Sequence, residues 1–80
     1  MRLDKYLKVS RIIKRRTVAN EACDTQRVIV NGRPAKASYE VKPEDIIEIT
    51  YGDRVFKFKV LDVKEHVQKN ESNLLYEVME

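Results

Sequence analysis

Val28-Ile29-Val30-Asn31-Gly32 is the stretch at which the chain changes its period. Three β-branched residues run into Asn-Gly, the strongest short signal for a two-residue hairpin turn, because both central positions of that turn need positive φ. A strand, a tight turn and a returning segment are therefore expected from Val28 onward. Upstream, the apolar positions follow helical spacing. Leu3, Tyr6 and Leu7, with Val9 or Ser10 next, obey the i, i+3, i+4, i+7 rule and predict a short amphipathic helix over about residues 2–10. Asp4 falls in its first turn, where the helix dipole favours negative charge. Val18, Ala19, Ala22 and Cys23 predict a second helix over about residues 16–25, with a narrow small-residue stripe suited to close packing. Ile12 and Ile13 break the register between the two, and Lys14-Arg15-Arg16 falls at the second helix's entrance. Unpaired N–H groups there attract anions, which makes the entrance a candidate phosphate site.

Beyond the hairpin, Pro34 and Pro43 punctuate an irregular stretch. Ile46 to Tyr51 reads as a strand and Gly52-Asp53 as a turn. Arg54 to Val63 reads as a further strand, with Phe56, Phe58 and Val60 on one face and Val55, Leu61 and Val63 on the other. A polar segment from Glu65 to Asn73 is expected to be a mobile loop, and Leu74 to Met79 a closing strand. Two helices followed by four or five strands predict an α+β fold, two short helices packed on a small antiparallel sheet. Eighty residues support one core, so residues 1–80 are expected to form a single domain.

The net charge of +3 hides an asymmetry. Residues 1–36 carry ten basic and three acidic side chains, a local +7, whereas residues 37–80 carry six basic and ten acidic, a local −4. One face of so small a domain should then attract polyanions, and it belongs to the N-terminal half. The charge pattern alone also fits a solvated helix face or a membrane-surface helix. Charge-free runs are far too short to span a bilayer, and no secretory signal is recognisable, so the protein is expected in the cytoplasm. A single Cys23 cannot form an internal disulfide, and with the single His66 it is too little for a zinc site. Cys23 sits on the small-residue stripe and reads as a buried, inert thiol. His66 has no partner at a catalytic spacing, no carboxylate pair is placed as acid and base, and no glycine-rich loop could cradle a nucleotide. The sequence argues against an enzyme, and no cofactor, metal or small-molecule substrate is expected.

Four blocks in order carry a specific likeness: Arg2-Leu3-Asp4-Lys5-Tyr6-Leu7, then Arg15-Arg16-Thr17, then Val28-Ile29-Val30-Asn31-Gly32, then Val41-Lys42-Pro43 before Asp45-Ile46-Ile47. Over about residues 2–51 the chain resembles the RNA-binding domain named after small-subunit ribosomal protein S4, with residues 52–80 as a C-terminal strand extension. The family commonly has glycine just before the strand that ends in Asn-Gly and again after Val-Lys-Pro. Gln26, followed by Arg27, and Glu44 stand there instead, at a cost of roughly 1 kcal/mol if φ is positive. Larger members carry a catalytic unit for which this chain has no room. Among small members, the heat shock protein 15 group and the RqcP family of ribosome-associated quality-control factors, the run from Lys8 to Thr17 and the Ala35-Lys36-Ala37-Ser38 segment look most like the RqcP family.

That resemblance implies a monomeric, non-catalytic factor on the large (50S) ribosomal subunit. It would contact 23S rRNA and peptidyl-tRNA and support alanine tailing of the stalled chain together with RqcH. A heat shock protein 15-like recycling role, or a protein-interaction module that uses the acidic strands, remain the alternatives. The candidate RNA-binding residues are Arg2, Lys5, Lys8, Arg11, Lys14, Arg15, Arg16, Arg33 and Lys36, with Arg16 foremost. Asp4 is read as favouring the helix start or orienting Arg2 or Arg16, and Tyr6, Phe56 and Phe58 as core residues.

Overall fold

The computed structural model describes residues 1–64 and 75–79. Two helices, α1 (Leu3–Val9) and α2 (Arg16–Asp24), precede five strands: β1 (Val28–Val30), β2 (Arg33–Pro34), β3 (Ile46–Tyr51), β4 (Arg54–Val60) and β5 (Tyr76–Met79). The strands form one antiparallel sheet in the order β2-β1-β3-β4-β5. Val30 pairs with Arg33 across Asn31-Gly32, whose φ values of 53° and 84° are both positive, as the two-residue turn requires. Pro34 falls on an edge strand, where its missing N–H disrupts no ladder.

The core lies between the helices and one face of the sheet. Leu3, Tyr6, Leu7 and Ser10 of the α1 segment are all buried, so Ser10 rather than Val9 completes the helical stripe. Against them pack Val28, Val30, Ile47, Ile49, Phe58, Val60 and Leu75. Each such aliphatic side chain contributes about 1.5–3 kcal/mol by leaving water. Tyr6 is fully buried, and its hydroxyl donates to the Leu75 carbonyl at 2.7 Å, joining the first helix to the residue that leads into the last strand. Phe56, Phe58 and Tyr76 form an aromatic cluster on β4 and β5, with centroid separations of 5.3–6.4 Å.

Three expectations need correction or limits. Val18 is half exposed, not part of the packed stripe; Ala19, Ala22 and Cys23 make the stripe, and Val18 stands about 100° around the helix from Ala19. The strand expected to reach Val63 ends at Val60, because the N–H groups of Leu61 and Asp62 both turn to one acceptor, the Leu75 carbonyl. The loop expected over Glu65 to Asn73, His66 within it, and Leu74 at the start of the closing strand lie outside the described residues.

At both positions where the family commonly has glycine, the backbone keeps the glycine conformation. Gln26 has φ 61° and Glu44 φ 81°. Gln26 closes α2, its N–H bonding the Cys23 carbonyl while the Arg27 N–H reaches Ala22, and the Glu44 N–H is held by the Val60 carbonyl. These bonds hold the two side chains in a strained region. Gln26→Gly and Glu44→Gly are each expected to raise unfolding free energy by up to roughly 1 kcal/mol, and Gln26→Val to lower it. Urea denaturation midpoints check both signs.

Candidate nucleic-acid interface

Asp4 is 2% exposed, and a carboxylate withdrawn from water needs donors on its lone pairs. Arg2 Nε donates to Oδ1 at 3.2 Å and the Lys5 backbone N–H to the same oxygen at 2.8 Å; Arg16 Nε and Asn20 Nδ2 both reach Oδ2 at 3.3 Å. Arg16 and Asn20 stand one turn apart on α2, so a single carboxylate meets both. Burial opposes ionisation of Asp4, but the bonds from Asn20, Arg16 and the Lys5 N–H, with the Arg16 charge, hold its carboxyl below the ordinary 3.8.

Each arginine uses Nε on Asp4, which leaves the four terminal N–H groups of each guanidinium for an incoming acceptor. The side chains of Arg2 and Arg16 remain 50% and 45% exposed, so the pair is anchored at its base and open at its tips. A third cation joins them through the backbone. The N–H groups of Leu3 and Asp4, the first of α1, bond the carbonyls of Tyr39 and Ala37 at 2.8 and 3.2 Å, and Val41 N–H bonds Met1. These contacts lay the 37–41 segment against the start of α1, and Lys36 thereby lines one cleft of about 470 Å3 with Arg2 and Asn20.

The α2 entrance carries Arg15 in an extended N-cap conformation, with no side-chain cap and no acidic residue in the first turn. Lys5 is partly buried beside Asp4, and Arg33 lines a second cleft with Lys36. Lys8 lies in the last turn of α1, roughly 7.5 Å along the axis from its start, and Arg11 follows the helix in a left-handed conformation with φ 63°. Lys8, Arg11 and Lys14 are exposed and, among the described residues, none of them touches the Asp4 cluster.

Sequence reasoning missed Asn20, since a lone Asn in a helix has no periodic signature. It also missed the second hub. Asp45, 8% exposed, accepts from Asn31 Nδ2 at 3.0 Å, the Tyr39 hydroxyl at 2.9 Å and the Lys42 N–H at 3.0 Å, while Asn31 Oδ1 accepts from the Ile46 N–H at 2.9 Å. Cys23 is buried, and desolvation, with the charges of Asp4 and Asp24, pushes its thiol up to about 11, so it stays protonated at neutral pH.

A helix pair presenting arginines beside a hairpin-led antiparallel sheet is the architecture of a small RNA-binding module, and the comparisons agree. The S4 domain model matches residues 1–47. The chain is 51% identical over 79 residues, 99% of its length and 90% of the relative's, to the RQC P-site tRNA stabilizing factor of Streptococcus pneumoniae. It is 51% identical over 78 residues, 98% and 89% of the two lengths, to the factor of the same name from Halalkalibacterium halodurans. A trimeric structure of Vibrio cholerae heat shock protein 15 superposes with a TM-score of 0.90 at 26% identity, covering 99% of this chain and 81% of that one. The chain belongs to the S4-domain family and, within it, to the RQC P-site tRNA stabilizing factors.

Because the folded Asp4 carboxyl lies below its ordinary value, its contribution to stability is present above pH 3.8 and disappears as pH falls through the lower folded value. Asp4→Asn is expected to lose about 1–3 kcal/mol near neutral pH, and the gap to the parent should close in acid. Urea melts of both proteins across that range measure it.

Proposed function

We propose that this protein is a non-catalytic RNA-binding factor of ribosome-associated quality control. The observation that carries the reading is the pair of arginines anchored base-first on buried Asp4, in a chain whose relatives are named for stabilizing P-site tRNA. Guanidinium groups fixed at Nε and open at the tips are preorganised for phosphate, so less side-chain freedom is lost on binding. Arg2 and Arg16, with Lys5, Lys8, Arg11, Lys14, Arg15, Arg33 and Lys36 as flanking contacts, would bind 23S rRNA and peptidyl-tRNA on a stalled 50S subunit. The sheet continues without a break from the matched region through β4 and β5, which supports residues 1–80 acting as one RNA-binding unit. We assign it a monomeric form in the cytoplasm, on the ribosome.

Its action is thermodynamic. A factor that touches rRNA and tRNA together raises the population of the tRNA state it fits, and by reciprocity that tRNA strengthens the factor's own binding. Holding peptidyl-tRNA in place through repeated additions is what alanine tailing with RqcH requires. The likeness to heat shock protein 15 favours large-subunit recycling as a second reading. The two separate in a tailing assay: removing the factor should shorten alanine tails if the first holds, and leave them unchanged if the second does.

Arg16→Gln, which keeps a donor where Nε meets Asp4 and removes the guanidinium tips, is expected to weaken cosedimentation with large subunits sharply while circular dichroism stays unchanged, whereas Lys64→Glu, in the acidic C-terminal half, should cosediment normally. With five or six phosphates neutralised, log K should fall against log salt with a slope of roughly −3.5 to −5. Subunits carrying peptidyl-tRNA should bind more tightly than empty ones at the same salt concentration. Equal cosedimentation of the two variants, a flat salt slope or equal affinities would each count against this reading.

A further inference from the structure

Next to the anchored arginines a second cleft, of about 510 Å3, opens between the β1–β2 hairpin and the segment that follows it. Val30, Pro34, Ala35 and Tyr39 give it apolar walls, and Arg33 and Lys36 place two cations on it. No acidic side chain lines it among the described residues. Tyr39 is held in position, because its hydroxyl is bonded to Asp45, which Asn31 and the Lys42 N–H hold in turn. Lys36 also lines the adjoining cleft that contains Arg2 and Asn20, so it stands between Arg2 and this apolar space.

We infer that this cleft receives one unpaired nucleobase of an RNA strand whose phosphates run along Arg33, Lys36 and Arg2. The inference rests on the RNA-binding reading above and adds to it the recognition of single-stranded RNA. A paired base keeps its faces inside the helix, whereas an unstacked base offers a flat apolar surface with anionic groups on either side. Rigid apolar walls flanked by cations match that ligand in both respects. The volume also lies in the range of roughly 300–1,000 Å3 that small-ligand sites occupy. An acidic peptide would use the cations, but only an aromatic residue set among its acids would offer a flat apolar group, whereas every nucleotide of an unpaired strand does.

Two probes of equal phosphate number separate the contributions: a uridine hexanucleotide and the same hexanucleotide without bases. The intact chain should bind the uridine strand roughly five- to 150-fold more tightly, the span expected for burying one base. Both strands should shift the amide resonance of Lys36, and only the uridine strand those of Ala35 and Tyr39, on the apolar walls. Ser38 is exposed and lines the cleft, so Ser38→Phe should fold normally, fill the space and bring the two strands to equal affinity. Equal affinity for the two strands, or a preference that survives in Ser38→Phe, would overturn the base site and leave the RNA-binding reading standing. Failure of both strands to bind would overturn the two together.

Discussion

A carboxylate buried at the junction of two helices can exist only if donors converge on it, and Asp4 sets that requirement here. Its acceptors are met by the Arg2 and Arg16 Nε groups, the Asn20 amide and the Lys5 N–H. These come from the start of α1 and the first turns of α2, so satisfying one side chain fixes how the two short helices lie against each other. Neither helix, at seven and nine residues, would be stable in isolation. Their stability comes from the shared apolar core and from this contact. The same bonds decide which way the two guanidinium groups face, so the interaction that closes the fold also orients these two cations.

Asp45 plays a matching part on the sheet. Through Asn31, Tyr39 and the Lys42 N–H it ties the hairpin turn to the segment that precedes β3. The four sequence blocks are thus joined in two pairs. Asp4 links the first block to Arg16 of the second, and Asp45 of the fourth links back to Asn31 of the third. The irregular stretch between the hairpin and β3 is held by these contacts and by its backbone bonds to α1. That is how Lys36, remote in sequence from Arg2, comes to share a cleft with it.

Elements written in local sequence were legible. Asn31-Gly32 determines its own turn, and the Leu3, Tyr6, Leu7 spacing determines which face of α1 is buried. What depended on contacts distant in sequence was not. Lys36 could be counted as a charge but not placed, because its position follows from hydrogen bonds between residues 37–41 and the start of α1. Asn20 gave no signal, since only the geometry of Asp4 gives its amide a role. Gln26 and Glu44 show a further limit: an unfavourable residue type does not change a backbone that tertiary bonds hold, so the left-handed conformation persists without glycine. Val18 read as packed because nearest-neighbour spacing cannot distinguish the two margins of so short a helix.

The central claim is that Asp4 acts on RNA through the arginines it anchors, beyond stabilising the fold. A double-mutant cycle tests it most directly. The affinity of large subunits carrying peptidyl-tRNA would be measured for the parent, Asp4→Asn, Arg16→Lys and the double variant, all under conditions in which each is folded. If Asp4 orients Arg16 for phosphate, the loss caused by Arg16→Lys should shrink in the Asp4→Asn background, with a coupling energy above about 1 kcal/mol. Losses that add to within about 0.5 kcal/mol would contradict it and leave Asp4 a purely structural residue.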